Sequence, residues 1–203
     1  MSHPTIRTIA GVAAPVALQA AGTALLVIDF QNEYFSGTMP IPDGMAALNN
    51  AKRLIAFADR HDMPVFHVQH VTPSGTPIFA VDGDTVAIHK DIQPAAHHRV
   101  VQKSSVSVFP TTDIDVQLKA AGVKTLIIAG LMTHACVAGA ARDAVPAGYD
   151  VIVAADASAT RDLDAPGGGV ITHDVLHRGA LTTIADTFGD VLDTSAILEL
   201  QVQ

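Results

Sequence analysis

Three side chains that lie far apart in the chain have the chemistry of a nucleophile, a base and a cationic partner. Cys136 is the one cysteine of the 203 residues, and it comes shortly after the apolar run Thr125–Ala129. Asp29 directly follows the apolar run Ala24–Ile28, and Lys103 follows a shorter apolar pair. A thiol between a carboxylate and an ammonium ion can attack a carbonyl carbon, because the carboxylate takes the thiol proton and the cation stabilises the thiolate.

Each of these residues also has an ordinary structural explanation. A lone cysteine is more often a small buried apolar residue, and a lysine beside a strand end is usually solvated. An aspartate after a strand can also cap a helix or a turn. At Cys136 the Ala-rich segment 136–145 predicts a helix that has the cysteine in its first turn. Free backbone N–H groups and the helix dipole favour a thiolate there, so we expect a lowered thiol pKa.

The apolar runs predict the elements that must position these side chains. Runs that are rich in β-branched residues and lack alternation indicate buried parallel strands, here Ala24–Ile28, Val65–Val68, Thr125–Ala129 and Asp150–Ala154, with a weaker run at Arg99–Val101. Helical patterns lie between them, at residues 45–60, 113–121, 136–145 and 171–184. This alternation predicts an α/β fold: a doubly wound, mostly parallel sheet flanked by helices in a Rossmann-type three-layer arrangement. Ligands bind at the carboxyl ends of such strands, where the three side chains are expected.

The length of the chain suits one domain over residues 1–203. We interpret residues 1–21 as an N-terminal extension rather than a signal peptide, because no cleavage pattern follows the mildly apolar stretch. Residues 72–98 are rich in proline and glycine and show no long period. They predict an excursion at the carboxyl end of the second strand, of the kind that forms lids or oligomer contacts.

Composition narrows the classes of partner. The formal net charge is −8, and hydrophobic residues make up 49% of the chain against 16% charged residues. Without a basic cluster the chain is a poor candidate for binding nucleic acid, and no apolar stretch is long enough to span a bilayer. We therefore expect a cytoplasmic protein with a small-molecule substrate that binds neither nucleic acid nor membrane. Its apolar composition favours a homo-oligomer, either a dimer or a tetramer.

Taken together, the motifs resemble those of the isochorismatase-like cysteine hydrolases, which include nicotinamidases, carbamoylsarcosine amidase and ureidoacrylate amidohydrolase. The resemblance extends over roughly residues 22–195 and is specific for the superfamily but not for a substrate. The motifs that carry it are Asp29-x-Gln31, Lys103 followed by Ser107-x-Phe109, Gly130-x-x-Thr133-x-x-Cys136-Val137 and, more weakly, Val153–Ala157.

The resemblance implies roles for particular residues. Asp29, Lys103 and Cys136 would form the catalytic triad. The family places a cis peptide bond before the cysteine, which here would join Leu131 to Met132. The backbone N–H groups of Met132 and Cys136 would then form the oxyanion hole.

The cysteine also separates branches of the family. Isochorismatases proper cleave a vinyl ether and have a small residue in place of Cys136. By the resemblance, this chain is expected to hydrolyse a C–N bond of a small amide or carbamoyl compound through a thioester. Two alternatives stay open: an ester, lactam or cyclic-imide hydrolase with the same triad, and a non-catalytic oligomeric scaffold of the same fold.

Further residues are candidates for the substrate pocket because they lie in loops or strand ends near the three side chains: Gln31, Phe35, His70, Phe79, Thr133 and His134. Nicotinamidases bind a metal through an Asp-x-His pattern just after the catalytic aspartate, whereas residues 29–37 contain no histidine. We therefore expect neither a metal nor another cofactor, and the same observation argues against nicotinamide as the substrate.

Overall fold

A computed structural model describes residues 2–203, and a six-stranded parallel sheet forms its centre. The strands of these residues, in chain order, are β1 (Ala17–Leu18), β2 (Thr23–Ile28), β3 (Val65–His70), β4 (Arg99–Lys103), β5 (Thr125–Leu131), β6 (Asp150–Ala159), β7 (Leu163–Asp164), β8 (Val170–Ile171), β9 (Asp190–Leu192) and β10 (Gln201–Val202). The α-helices are α1 (Ile6–Ile9), α2 (Gly44–Arg60), α3 (Ile114–Ala120), α4 (Ala138–Ala144), α5 (His173–Thr187) and α6 (Thr194–Leu198).

The central sheet has the strand order β4-β3-β2-β5-β6-β9, and every pair in it is parallel. Strand β2 is buried at all its positions, which explains its unbroken apolar sequence. From β2 the chain proceeds outwards through β3 and β4, and from β5 it proceeds outwards on the other side. The reversal between β2 and β5 therefore opens a crevice at their carboxyl ends.

Helices cover both faces of the sheet, which confirms the predicted three-layer α/β fold. Helices α2 and α6 pack on one face, and α3, α4 and α5 pack on the other. Helix α2 buries Ala47, Leu48, Ala51, Leu54 and Phe57 at helical spacing. Helix α4 buries only alanines, and these small side chains allow it to lie close to the sheet.

Several element boundaries differ from the prediction. Strand β6 continues to Ala159, because its second half, which has only small residues and an aspartate, pairs with β5 after a shift in register that no apolar run signals. Helix α4 begins at Ala138 rather than at residue 136, since a π-helical turn, Thr133–Val137, precedes it. The short edge strand β9 was not predicted.

The two ends of the described chain lie against the same part of the fold. Strand β1 pairs with β10, and Arg7 forms an ion pair of 2.7 Å with Asp190 at the start of β9. The segment from 72 to 98 is mostly irregular, with short 3₁₀ turns and bridges that join Gln31 to Ile88 and Thr72 to Ala80. Within residues 2–203, none of the helices has the length and apolar character needed to cross a membrane.

Candidate active site

Three strand ends place the three predicted side chains at one edge of the sheet. Asp29 follows β2 directly, with a positive φ of 54° and its N–H donating to the carbonyl of Val68 at 2.9 Å. Lys103 is the last residue of β4. Cys136 lies in the π-helical turn after β5. The topology therefore brings together residues that are more than seventy positions apart, as 29 and 103 are.

The ammonium group of Lys103 lies between the carboxylate and the thiol. Its Nζ is 2.8 Å from Asp29 Oδ2 and 3.4 Å from Cys136 Sγ. Two further groups contact the same nitrogen: His70 Nδ1 at 2.8 Å and the carbonyl oxygen of Ser105 at 3.2 Å. Asp29 and Lys103 are almost wholly shielded from solvent, at 0% and 1% exposure, and Cys136 retains 6%. Cys136 is thus the least buried member of the group.

Burial dominates the protonation of this group. It raises the pKa of Asp29, and the neighbouring ammonium of Lys103 only partly opposes the rise. Burial also raises the pKa of the Cys136 thiol, and the negative charge of Asp29 raises it further. The shift is thus opposite to the lowered thiol pKa expected from the sequence, because desolvation and the carboxylate outweigh Lys103.

Gly130 allows β5 to approach β2 where the site forms. It lies opposite Ile28, the residue before Asp29. A Cβ atom at position 130 would lie 2.5 Å from the carbonyl oxygen of Ile28, which is closer than non-bonded atoms can come. The peptide bond that follows, between Leu131 and Met132, is cis, as the family resemblance predicted.

Gln31, a candidate for substrate binding, has its side-chain amide bonded to backbone groups. Its side chain is fully buried, and its Oε1 accepts the backbone N–H of His70 at 2.8 Å. Its Nε2 donates to the carbonyl oxygens of His70 and Val86 at 2.8 and 2.7 Å. Because the donors of the amide are used in this way, Gln31 ties the segment after β2 to the end of β3 and to the 72–98 segment.

The other candidate pocket residues divide into two groups. Phe79 is buried and packs edge-on against Tyr34 and His70, with ring centroids 5.3 and 5.0 Å apart, so it supports the wall beside Lys103. Phe35 packs instead on the ring of His89, at 4.5 Å, and contributes to loop packing.

Thr133 and His134 belong to the turn that carries the cysteine, and each contacts a different neighbour. The buried hydroxyl of Thr133 bonds to His177 Nδ1 of α5 at 2.8 Å. His134 Nδ1 bonds to the hydroxyl of Thr160 at 2.6 Å, just beyond the end of β6. These contacts fix the turn between β6 and α5.

Two residues near the site were missed. Tyr34 is buried, and burial, followed by the charges of Cys136 and Asp29, raises its pKa. Arg161 has a buried Nε that no hydrogen-bond acceptor among residues 2–203 contacts. The predicted strand ended at Ala154, so the sequence did not place residue 161 at the edge of the sheet.

The softer motif around Asp156 has a structural role. Asp156 Oδ1 accepts both the backbone N–H and the hydroxyl of Thr194, each at 2.7 Å. Its Oδ2 and its carbonyl oxygen accept the side-chain amide of Asn50, at 3.0 and 2.9 Å. Asp156 therefore links β6 to α2 and α6 on one face of the sheet.

Among the described residues, the one group with the ligand types and spacing for a metal lies away from these side chains. Ligand atoms of Asp59, His97 and His98 all lie within 4.8 Å of one another. His98 precedes β4, whereas Lys103 ends it, so the two groups are at opposite ends of the strand. The backbone N–H of Ala95 donates to His98 Nδ1 at 3.1 Å. The neutral ring therefore carries its hydrogen on Nε2, the atom that faces Asp59, and this arrangement does not suit a metal.

Comparison with known proteins identifies the family. The isochorismatase domain matches residues 23–196. The chain is 34% identical to the uncharacterized isochorismatase family protein YddQ of Bacillus subtilis, over 87% of this chain and 99% of that protein. It is 31% identical to nicotinamidase 3 of Arabidopsis thaliana, over 84% of each. A crystal structure of a putative isochorismatase from Burkholderia xenovorans superposes with a TM-score of 0.83 at 32% identity, covering 87% of this chain and 85% of that one.

These matches extend over the strands and turns that carry Asp29, Lys103 and Cys136. The relatives include amidohydrolases, which act on C–N bonds. The chain therefore belongs to the isochorismatase family and is a hydrolase.

Proposed function

We propose that this hydrolase cleaves the C–N bond of a small amide or carbamoyl compound through a thioester on Cys136. The observation that carries the proposal is the position of Lys103 Nζ, 2.8 Å from the carboxylate of Asp29 and 3.4 Å from the sulfur of Cys136. A cation in this position stabilises negative charge on either side of it. Attack by the sulfur therefore needs no new counter-ion.

The raised pKa values fit this use of the group. A proton that moves from the thiol to Asp29 transfers one negative charge from oxygen to sulfur and leaves the total charge of the site unchanged. Because both atoms are desolvated and both lie next to Lys103, the transfer does not bury an additional charge. A carboxylate with a raised pKa is also a stronger base and, once protonated, a usable acid near neutral pH.

The proposed reaction has two halves. Asp29 takes the thiol proton while the sulfur attacks the carbonyl carbon, and the backbone N–H groups of Met132 and Cys136 donate to the oxyanion. Asp29 then gives its proton to the leaving amine as the C–N bond breaks. Water next attacks the thioester, Asp29 accepts a proton from that water, and the sulfur leaves and regains the proton. The sum is amide plus water giving acid plus amine, and each oxyanion donor lowers the barrier by about 3 kcal/mol.

The test is a substrate panel with the wild-type chain and the Cys136→Ala variant. Small primary amides and N-carbamoyl compounds are assayed for release of ammonia or amine, beside esters, lactams and cyclic imides of matched size. We expect turnover of one amide or carbamoyl compound and a loss on the order of 10³-fold or more in the variant. Intact mass spectrometry after rapid quenching should show the acyl group on Cys136.

The outcomes separate the proposal from its alternatives. Turnover confined to the esters, lactams or cyclic imides would show that the triad serves the alternative hydrolase and not an amidase. Full activity in Cys136→Ala would remove the thioester mechanism altogether. Thermal unfolding of the variant is the control for folding, and because Cys136 contributes only a small apolar side chain, we expect the fold to persist.

The homo-oligomer and the small-molecule partner stay predictions of the sequence. Apolar side chains remain exposed at the start of α5 and in β8, with Val170 at 58%, Ile171 at 38% and Val175 at 45%. Light scattering coupled to size-exclusion chromatography measures whether a second copy of the chain binds.

A further inference from the structure

His70 contacts the same ammonium nitrogen as the carboxylate and the thiol. Lys103 Nζ has three hydrogens and four neighbours: Asp29 Oδ2 and His70 Nδ1, both at 2.8 Å, Ser105 O at 3.2 Å and Cys136 Sγ at 3.4 Å. The carboxylate is held as an ion pair, and the hydrogen bond to His70 is the shortest of the three that the ammonium makes. The acceptor at His70 therefore helps to set how the ammonium is oriented towards the thiol.

The imidazole must be neutral and must accept at Nδ1, since an ammonium ion has only hydrogens to offer. Burial, together with the positive charge of Lys103, lowers the pKa of His70 to about 4, which keeps the ring neutral at physiological pH. The hydrogen of the ring then lies on Nε2. His70 is thus a neutral acceptor placed against a buried cation, whereas a histidine that served as a proton carrier would need a pKa near neutrality.

The fold holds this ring in place from three sides. His70 lies opposite Lys103 in the register of β3 and β4. Both of its backbone polar groups bond to the buried side chain of Gln31, at 2.8 Å each. Its ring packs edge-on against buried Phe79, with centroids 5.0 Å apart. Gln31 is two residues after Asp29, so one rigid unit connects the base, the imidazole and the lysine.

We propose that His70 is a positioning residue for the hydrolysis proposed above: its Nδ1 holds the Lys103 ammonium between Asp29 and Cys136. The inference rests on the proposed function for its kinetic consequence. Without the acceptor, one N–H of a buried ammonium has no partner, and the group turns towards Asp29 and Ser105 and away from the sulfur. The thiolate then loses part of its stabilisation, and the chemical step slows while substrate binding changes little.

The test compares His70→Asn, His70→Gln and His70→Leu. Asparagine places an oxygen acceptor where Nδ1 lies, glutamine places its amide near Nε2, and leucine keeps apolar contact with Phe79 without an acceptor. In the leucine and glutamine variants we expect kcat to fall about 10- to 100-fold, the range that misplacement of a catalytic group produces. The asparagine variant should recover most of that loss, with KM within about three-fold throughout. His61→Leu is the control, because His61 also packs on an aromatic ring, that of Phe57 at 4.8 Å, but lies before the start of β3, whereas His70 ends that strand.

A second readout needs no substrate. The rate of alkylation of Cys136 by iodoacetamide, measured over pH, reports how well the site stabilises the thiolate. We expect slower alkylation at a given pH in His70→Leu than in wild type, with recovery in His70→Asn. If no panel compound is hydrolysed, the proposed function fails, but the alkylation series still decides the role of His70. Equal alkylation rates in all variants, rescue by glutamine rather than asparagine, or a change confined to KM would overturn the inference.

Discussion

At one end of strands β3 and β4, Lys103 forms a cluster with Asp29 and Cys136. At the other end, His67 and His98 form a cluster with Asp59. We refer to these as the triad cluster and the histidine cluster, and His97 completes the second. The two clusters share the same pair of strands and are separated by roughly 10–17 Å, at about 3.3 Å per strand residue.

In the histidine cluster each hydrogen bond can be assigned a donor and an acceptor. The N–H of Ala95 and the ring of His67 both bond to His98 Nδ1, at 3.1 and 3.2 Å. That atom accepts, so His67 donates through Nε2 and His98 donates through its own Nε2 to Asp59 Oδ1 at 2.9 Å. His97 bonds to the same oxygen at 3.0 Å. The cluster thus links β3, β4 and α2, and its carboxylate remains partly solvated.

The triad cluster is more deeply buried and less well satisfied. Lys103 Nζ lies 2.8 Å from Asp29, yet neither carboxylate oxygen receives a well-aligned hydrogen bond from residues 2–203. A buried carboxylate in this condition is costly for folding, and natural proteins rarely keep one without a use. The comparison suggests that hydrogen-bond satisfaction, rather than residue type, separates a structural cluster from one that is prepared for chemistry.

Removal of the cation should break the triad cluster with the largest effect. In Lys103→Met, Asp29 is left as a buried charge without a partner, which costs about 3–5 kcal/mol of unfolding free energy at neutral pH. The pKa of Asp29, which burial already raises, then rises further. Protonation relieves the cost, so the deficit should be smaller at pH 5 than at pH 8. Turnover should fall on the order of 10³-fold or more. Urea unfolding and steady-state kinetics measure the two effects.

A surface ion pair supplies the matched control for this variant. Lys119 Nζ lies 2.7 Å from Asp115, and the lysine side chain is 56% exposed. Lys119→Met should leave turnover unchanged and stability nearly so, because solvent screens such pairs. A Lys103→Met enzyme with wild-type turnover would show that the triad cluster, despite its geometry, is structural.

The sequence predicted most of what depends on burial. Unbroken apolar runs located β2, β3 and β5, and the rule that ligands bind at the carboxyl ends of parallel strands brought Asp29, Lys103 and Cys136 to one edge. The sequence could not predict properties of a residue that depend on its neighbours in the folded structure. The thiol pKa is one example, because the degree of burial, and not the local turn, determines its direction.

Pairing between distant strands produced the remaining errors. The opposition of His70 and Lys103 follows from the register of β3 with β4, which no local pattern encodes. Similarly, β6 extends past Ala154 because its backbone pairs with β5, although residues 155–159 are three alanines, an aspartate and a serine and form no apolar run. Arg161 and the contact of His134 with Thr160 were missed for this reason.

A fall in pH should destabilise the fold through the histidine cluster, by less than the loss of the Lys103 cation. Burial, and secondarily the charge of His98, lowers the pKa of His67 from 6.5 to about 4. A depressed pKa means that the neutral ring stabilises the fold above pH 6.5 and that this contribution is lost as the pH falls towards 4. Between pH 7 and pH 5 the wild type should lose about 2 kcal/mol from this residue. His67→Gln keeps a donor for His98 and does not titrate, so its unfolding free energy should decline less over that range.

A histidine with the opposite shift sharpens this test. A hydrogen bond with Asp162, 2.7 Å away, raises the pKa of His173. Its contribution is present below pH 6.5 and is lost as the pH rises through the folded pKa, so His173→Gln should make the acid decline steeper. If the unfolding free energy depended on pH equally in wild type and in both variants, the assignment would be contradicted. Turnover per folded molecule should be unchanged in His67→Gln.

The smallest expected effect concerns metal binding at the histidine cluster. Asp59, His97 and His98 have suitable atoms within 4.8 Å of one another, yet the N–H of Ala95 and the ring N–H of His67 already share the lone pair of His98 Nδ1. A metal at Nε2 of His98 would force the ring to lose its last hydrogen or to break its bonds with these two donors. We therefore expect Zn²⁺ at about 100 µM to raise the melting temperature by less than about 1 °C. A saturable rise in melting temperature that disappears in His97→Gln would show that the histidine cluster rearranges to bind metal. Hydrogen-bond satisfaction would then not distinguish the histidine cluster from the triad cluster.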